Sequence, residues 1–411
     1  GILMIIGSVI LAIDPKNFFF IGLGFTIVGT GFFKPNISSM VGQLYPDGDP
    51  RRDAGFSFFY MGVNLGALIG GYICIAVAEG SMWQSIVPEH LRWNVGFGFA
   101  AIVMIISLLT FTQTQKSLGP IGLSPLKEMM VSKRKQLEIV TYVGSLLVIP
   151  LIIVMVANTH YTDYFMICIG PASILYLLYE MKNFTLAENK KLFAALIFII
   201  FSIFFWAFFE QSGGSLSLFA VNNLNNTIGG VVLSPNGVNN SANSFFVIGF
   251  AALVGLVWLW LDKRKIEPNT VIKFGLAFLF LAGGFWVFYY TKFFADGFGR
   301  TSLGIFTFGW FVITLGELCL SPIGMSAMTK LSPSKTQAVI MGMWFLASAY
   351  GQYFAGILGA NIAEASEQSS NIEKLNVYAD GYLQLAIYAL IAGVVLIVLS
   401  PLVRKLMQEV K

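Results

Sequence analysis

The chain has 411 residues, of which 56% are hydrophobic, 15% aromatic and only 11% charged, and its formal net charge is +4. This apolar content exceeds what one soluble core can bury, so the composition predicts an integral membrane protein. The few Lys and Arg residues are scattered over short loops and form no basic stripe with interleaved aromatic residues, which argues against a nucleic-acid partner. The three cysteines stand in apolar runs without CxxC spacing or a neighbouring histidine. The sequence therefore indicates neither a disulfide framework nor a metal site, and no cofactor is expected.

The predicted elements begin with a short apolar stub at residues 1–13. At 1.5 Å per residue this stub reaches about 20 Å, less than the roughly 30 Å of a bilayer core. We therefore expect that the first helix is cut and that the chain is incomplete at its N-terminus. Eleven longer apolar runs follow, each long enough to span a membrane. They lie near residues 17–44, 51–79, 94–112, 137–157, 162–180, 191–221, 242–261, 271–291, 302–328, 337–362 and 380–403.

The loops between these runs differ in charge. If the helices alternate in direction, one set of loops carries 18 Lys and Arg residues and the opposite set only five. Cytoplasmic loops are enriched in Lys and Arg, so the richer set predicts the cytoplasmic side and places the C-terminus there. Two loops are long: residues 113–136 form a basic linker between helical groups, and residues 222–240 form an external stretch rich in Asn and Gly.

Three ionisable residues lie well inside predicted spans: Lys34, Glu210 and Glu317. A charged side chain at the centre of a membrane helix costs about 2.5 to 3.5 kcal/mol, so such residues normally face a protein interior or a water-filled cavity and have a function. One lysine against two carboxylates leaves a carboxylate without a visible cationic partner. That carboxylate either binds a proton or has lost its partner. Three further charges lie near span boundaries, where a structural ion pair or a snorkelling side chain is the simpler interpretation: Asp14, Lys273 and Asp380.

Polar and aromatic neighbours at helical spacing strengthen the prediction of a site. Residues four apart share a helix face, and three such pairs occur: Tyr60 with Asn64, Trp206 with Glu210, and Glu317 with Ser321. From the residues alone, Asn243 is equally compatible with a helix start and a ligand contact. A cation and an anion on separate helices, surrounded by aromatic and amide groups, complement a zwitterion with separated ends. Lys34 would face the carboxylate and Glu317 the ammonium group, which favours a short peptide over a sugar or nitrate.

Four segments in order carry a resemblance to a known family: GFFKPN at residues 31–36, FSFFYMGVNLG at 56–66, FFEQSG at 208–213 and GELCLSPIG at 316–324. They resemble the proton-dependent oligopeptide transporter family of the major facilitator superfamily, and the resemblance covers essentially the whole chain. It implies an all-α integral membrane fold of two six-helix bundles, the first truncated here, with the two extra helices of bacterial members between them. The domains would be 1–113 for the first bundle, 114–190 for the linker and inserted helices, and 191–411 for the second bundle.

The same resemblance implies a function and roles for individual residues. The function would be proton-coupled symport of di- and tripeptides into the cell by alternating access. Lys34 is similar to the family's lysine near the peptide carboxylate and the proton pathway, and Glu210 to a glutamate that pairs with a first-helix arginine in the outward gate. That arginine and its ExxERF-type motif are absent from this sequence. The remaining positions resemble peptide-contacting or pocket residues, with Glu317 and Ser321 at the amino-terminus site: Tyr60, Asn64, Trp206, Asn243, Glu317, Ser321 and Trp344.

Other functions remain as alternatives. Relatives of the family carry nitrate, amino acids or drugs, and an uptake competition series would separate these from peptides. A membrane enzyme would need a clustered metal or nucleophile set, and no HExxH, paired-Asp or Ser-His arrangement occurs in the sequence. A structural or receptor-like membrane protein would leave the three deep charges unexplained.

Overall fold

The structure is a computed structural model that describes residues 1–46, 49–78, 83, 85–124, 126, 129–228, 231–232, 235–362 and 369–410. Its α-helices are α1 (Ile2–Ile13), α2 (Phe19–Gln43), α3 (Arg51–Ala78), α4 (Arg92–Thr114), α5 (Val131–Ala157), α6 (Thr159–Glu180), α7 (Leu186–Phe209), α8 (Ser215–Asn223), α9 (Pro235–Lys263), α10 (Thr270–Tyr290), α11 (Leu303–Leu331), α12 (Gln337–Ile362) and α13 (Asn371–Met407). Four two-residue strands are β1 (Leu224–Asn225), β2 (Thr227–Ile228), β3 (Val231–Val232) and β4 (Thr301–Ser302).

The helices lie where the apolar runs predict them. Within the described residues, 8 segments are long and apolar enough to cross a membrane, and α1 is a shorter apolar helix. Helices α2, α3 and α12 coincide with the other three predicted runs and contain 25, 28 and 26 residues. The all-helical membrane architecture is therefore confirmed, while the count of eleven spans stays a prediction.

Three helix boundaries differ from the prediction, because polar residues extend or interrupt an apolar run. The predicted run 191–221 is broken: α7 ends at Phe209, a 3-10 turn covers Glu210–Gly213, and Gly214 (φ −121°, ψ −113°) leaves the helical conformation before α8. Helix α9 begins at Pro235, so the end of the predicted external loop is helical. Helix α13 begins at Asn371, where Ser370 and Glu373 form a capping box that satisfies the first backbone N–H groups.

The chain divides into two compact units. The first unit comprises Gly1–Leu44 and Gly66–Lys182, and the second comprises Tyr45–Leu65 and Asn183–Lys411. In the first unit α1 packs against α2 and α4, and α2 packs against α5. In the second unit α10 packs against α11 and α13, while α7 packs against α12 and α9 against α11. The division into domains 1–113, 114–190 and 191–411 follows chain order and stays a prediction.

One end of the second unit is held together by short strands and a buried amide. Strand β1 pairs with β4 in parallel, and β2 pairs with β3 antiparallel. At the end of α8, the buried Asn223 side chain donates to the carbonyl oxygen of Gly299 at 2.8 Å and to that of Asn371 at 2.7 Å. Gly299 has a φ of 74°, and a Cβ atom there would lie 2.9 Å from the backbone of Asn371. The lack of a side chain at Gly299 is therefore required for this close approach.

Candidate binding site

The centre of the candidate site is the carboxylate of Glu317 on α11, which is only 2% exposed. The Tyr60 hydroxyl on α3 donates to Oε1 of Glu317, and Nδ2 of Asn243 on α9 donates to Oε2 at 2.5 Å. Three helices of the second unit thus converge on one carboxyl group. Both donors are neutral, so they orient the carboxylate without neutralising its charge.

Further hydrogen bonds hold these donors in place. Nδ2 of Asn243 also lies 3.2 Å from Oγ1 of Thr314, which in turn donates to the Trp310 carbonyl oxygen at 2.7 Å. On α3, Nδ2 of Asn64 donates to the Tyr60 carbonyl oxygen at 3.1 Å, as expected for residues one turn apart. The network restricts the rotamers of the groups that contact Glu317, which is what a site for a specific ligand requires.

These side chains border a cavity of about 250 Å³ in the second unit. Its lining combines aromatic, amide, hydroxyl and carboxyl groups: Tyr60, Asn64, Trp206, Phe209, Glu210, Ser212, Asn239, Asn240, Asn243, Trp310 and Glu317. Two acids and no Lys, Arg or His occur among these described lining residues. A cavity with two carboxylates, bordered by aromatic rings, is suited to a ligand that carries a positive charge.

The second acid, Glu210, lies where α7 ends. Its backbone N–H bonds to the Trp206 carbonyl oxygen and closes the helix. Its Oε1 accepts a hydrogen bond from Nε2 of Gln352 at 3.2 Å, and this partner is also neutral. The C-terminus of a helix carries a partial negative charge, so the position itself does not stabilise an additional carboxylate charge.

Six of the nine predicted site residues therefore lie together around one cavity: Tyr60, Asn64, Trp206, Glu210, Asn243 and Glu317. The other three lie outside its lining. Lys34 is on α2 in the first unit, and its side chain is exposed. Ser321 is buried one turn after Glu317. Trp344 on α12 is buried in packing, with its ring 6.0 Å from that of Phe274. The roles predicted for these three residues stay predictions.

Sequence reasoning missed five residues of the lining: Phe209, Ser212, Asn239, Asn240 and Trp310. A signal for three of them was present. Asn239 and Asn240 precede Asn243 by four and three residues and share its helix face, but the stretch was predicted to be loop. Trp310 precedes Glu317 by two helical turns, which places both residues on the same side of α11. Phe209 and Ser212 lie in the FFEQSG segment that carries the family resemblance, but their place in the lining was not predicted, because the change from α7 to the 3-10 turn is not visible as a periodic pattern.

Comparison with known sequences shows the family of this chain. The sequence profile described as the POT family matches residues 1–377. This chain belongs to the POT family. As a POT family member it is a multi-pass membrane transporter and not an enzyme, and the predicted fold of the major facilitator superfamily is confirmed.

Individual relatives support the assignment over the full length of the chain. The peptide transporter YePEPT of Yersinia enterocolitica is 31% identical over 434 residues, with 100% of this chain and 80% of the relative covered. The di-/tripeptide transporter of Lactococcus lactis subsp. cremoris is 29% identical, with coverage of 100% and 81%. A crystal structure of a POT family transporter in complex with a thioalcohol conjugated peptide has a TM-score of 0.70 and 27% identity, with 98% of this chain and 80% of that chain covered.

This POT family member also contains a buried ionic cluster that the sequence did not reveal. Asp53, in the first turn of α3, accepts hydrogen bonds from Nζ of Lys273 at 2.9 Å, from Nζ of Lys330 at 2.5 Å and from Oγ of Ser326 at 2.5 Å. Lys273 also contacts Oε1 of Glu267 at 2.6 Å. These five residues are called the Asp53 cluster below. Of the two interpretations open for Lys273, the structure supports the ion pair, since its side chain is 2% exposed and does not snorkel.

The other two boundary charges, Asp14 and Asp380, also have partners. Oδ1 of Asp14 accepts hydrogen bonds from the backbone N–H groups of Lys16 and Asn17 at 3.1 Å, and its Oδ2 accepts from Nδ2 of Asn17 at 2.7 Å. The side-chain hydrogen bond from Asn17 lowers the pKa of Asp14. Asp380 pairs with Lys292 at 2.8 Å, and its side chain is 65% exposed. Asp14 thus orders the chain just after α1, whereas Asp380 forms an exposed ion pair between α13 and the turn after α10.

Proposed function

We propose that this POT family member is a symporter that carries di- and tripeptides together with protons into the cell by alternating access. The observation that supports this most directly is the Glu317 carboxylate, buried in the second unit and held by the neutral donors Tyr60 and Asn243. The names of the relatives, which include a peptide transporter and a di-/tripeptide transporter, support the same substrate class.

The peptide's ammonium group binds at Glu317. An ammonium group has three donors and one positive charge, and it replaces the missing cationic partner of this carboxylate. The amide oxygens of Asn64 and Asn243 supply additional acceptors at the same end of the cavity. The aromatic rings of Trp206 and Trp310 border the space for apolar parts of the substrate. Recognition of the charged end and the backbone leaves side-chain identity weakly restricted.

The peptide's carboxylate binds at Lys34, and both Lys34 and the two acids take part in proton coupling. A buried carboxylate without a cation gains or loses a proton according to its surroundings, and a carrier that alternates between two states changes those surroundings. Glu210 and Glu317 are the two acids of the cavity lining, and the hydrogen-bond donors described for them are neutral, so they are the proposed proton-binding groups. Ser321, one turn after Glu317 on α11, supports the amino-terminus site, and Trp344 on α12 supports the pocket.

Charge distribution supports a location in the cell inner membrane with a cytoplasmic C-terminus. The loops on the C-terminal side hold most of the Lys and Arg residues, and such loops are retained in the cytoplasm during insertion. The partners of the protein are then short peptides, protons and membrane lipid.

The deciding experiment is uptake of Ala-Ala by purified protein in liposomes, with and without an inward proton gradient. Wild-type protein should accumulate Ala-Ala only with the gradient, and Glu317→Gln should abolish accumulation because the neutral amide cannot pair with the ammonium group or exchange a proton. Glu409→Gln is the control and should transport normally, because it removes an ion pair with Lys191 from a side chain that is 75% exposed and lies beyond the end of α13.

Two outcomes would contradict the proposal. Absence of Ala-Ala uptake by well-folded wild-type protein would refute the peptide substrate, and a carrier of nitrate, amino acids or drugs would become the leading hypothesis. Gradient-driven uptake that persists in Glu317→Gln would leave the substrate class intact and refute the assigned role of Glu317.

A further inference from the structure

Asn240 also lines this cavity, one helical turn before Asn243. The side chain of Asn240 is exposed, and it makes no hydrogen bond within the part of the chain that the structure describes. Its neighbour Asn239 differs: it is 1% exposed, and its Nδ2 donates to the Ser212 carbonyl oxygen at 2.8 Å. Asn239 therefore anchors the start of α9 to the 3-10 turn, while the amide of Asn240 remains available to a ligand.

The helix geometry sets the distance between the two amides. Three residues of an α-helix rise about 4.5 Å, and consecutive Cα atoms of a peptide lie about 3.8 Å apart. If the ammonium group binds at Glu317 and Asn243, Asn240 is offset from it by roughly the length of one residue. A polar side chain that leaves the first Cα atom can extend over this distance and bring its hydrogen-bonding group to Asn240.

The chemistry of Asn240 selects among such side chains. A carboxamide offers two donors and an acceptor, so it complements a hydroxyl or amide group and gains nothing from an alkyl group. The cavity lining also contains the aromatic residues Phe209 and Trp310, which can pack against apolar side chains but do not replace the hydrogen bonds that the amide of Asn240 offers. Since the amide is exposed and hydrated, the gain is that of one ordinary hydrogen bond rather than that of a buried one.

We propose that Asn240 is a specificity-determining residue that hydrogen-bonds to a polar side chain on the first residue of the bound peptide. This inference rests on the proposed peptide function. The proposed site otherwise recognises the termini and backbone of the peptide, and Asn240 would add selectivity for the side chain of its first residue.

The test is competition against Ala-Ala uptake by two dipeptides of similar shape, Asn-Ala and Leu-Ala. In Asn240→Leu, the preference for Asn-Ala over Leu-Ala, taken as the ratio of their inhibition constants, should fall about two- to tenfold relative to wild type, the range that one net hydrogen bond gives. The ratio compares two competitors in the same variant, so a general change in Ala-Ala uptake does not affect it. The control is Asn225→Leu, on β1 outside the cavity lining, which should leave the ratio unchanged.

Each other outcome contradicts the inference. An unchanged ratio in Asn240→Leu with normal Ala-Ala uptake refutes the role of Asn240 and leaves the peptide function standing. Loss of Ala-Ala uptake in both Asn240→Leu and the milder Asn240→Ser also refutes it, because such a residue would serve every peptide. Failure of the wild-type protein to transport Ala-Ala is a separate result that refutes the proposed function itself.

Discussion

Replacing Asp53 with asparagine should destabilise the folded protein far more than a typical change at a helix end. The Asp53 side chain is 7% exposed and contacts two lysines, of which Lys273 is 2% and Lys330 17% exposed. Asparagine keeps the shape of the side chain but removes its charge. Two lysines then face a neutral amide, and only Lys273 retains a carboxylate partner, Glu267.

The size of the effect follows from the distances and the burial. At an effective dielectric constant of about 20, unit charges 2.9 Å apart attract by about 6 kcal/mol. Much of this attraction offsets the cost of removing both ions from water. Deleting one partner of a buried pair leaves that cost uncompensated, and typically destabilises by about 3 to 5 kcal/mol. Because Lys273 keeps Glu267 and Lys330 reaches solvent, we expect the lower end, about 3 kcal/mol.

The assay is equilibrium unfolding in mixed micelles of increasing SDS fraction, followed by circular dichroism. The matched control is Asp380→Asn, which removes an aspartate paired with Lys292 at a similar distance of 2.8 Å but with 65% of its side chain exposed. An exposed pair contributes about 0 to 1 kcal/mol, so this variant should differ little from wild type. The double variant Asp53→Asn/Lys273→Met should lose about 1 to 3 kcal/mol less stability than the sum of the two single-variant losses, because the two residues interact directly.

The reasoning is refuted if Asp53→Asn loses no more stability than Asp380→Asn. It is also refuted if the losses of Asp53→Asn and Lys273→Met are simply additive. Either result would mean that the Asp53 cluster does not act as one buried unit.

Two further changes test packing elsewhere in the second unit with the same unfolding assay. Gly351→Leu on α12 should lower the free energy of unfolding by about 1 to 3 kcal/mol through overpacking. Even a Cβ atom at this position would lie 3.0 Å from the backbone of Trp206 on α7. The control is Gly356→Leu on the same helix, which has open space around it and should be tolerated. Asn223→Ala should cost about 2 kcal/mol, because the carbonyl oxygens of Gly299 and Asn371 lose their buried donor; a change within 0.5 kcal/mol of wild type would contradict this.

Hydrophobic runs predicted the positions of the helices but not all of their ends. An apolar run ends at its last apolar residue. A helix continues as long as its backbone is hydrogen-bonded and its polar side chains contact water or other polar groups. The start of α9 shows this, since Asn239 and Asn240 are helical and line a cavity. The break after α7 was missed for the opposite reason, because the residues on both sides of Gly214 are apolar enough to suggest one continuous span.

Site residues were predictable where a charged or polar side chain stands within an otherwise apolar helix. Glu317 is an acid within an apolar run, and Tyr60 with Asn64 form a polar pair one turn apart, so each was found without knowledge of its partners. Asp53 was missed because it follows Arg51 and Arg52 and its position resembles an ordinary charged loop. Only the fold brings Lys273 and Lys330, from α10 and α11, to this residue. Long-range pairing of this kind has no local signal in a single sequence.

Helices α3 and α11 contact each other at two levels along α3, and the two levels differ in whether a buried carboxylate has a cationic partner. At one level Asp53 meets Lys330 and Ser326, and the negative charge is fully compensated. Seven residues further along α3, or about 10 Å, Tyr60 meets Glu317, and the hydrogen-bond partners of this carboxylate among the described residues are neutral. An apolar cluster that includes the buried Val247, Ala251 and Leu318 packs against Tyr60 at this level. Ion pairing therefore stabilises the helix contact at the first level, while the arrangement at the second level is the one that the proposed binding of a proton or a substrate ammonium group at Glu317 requires.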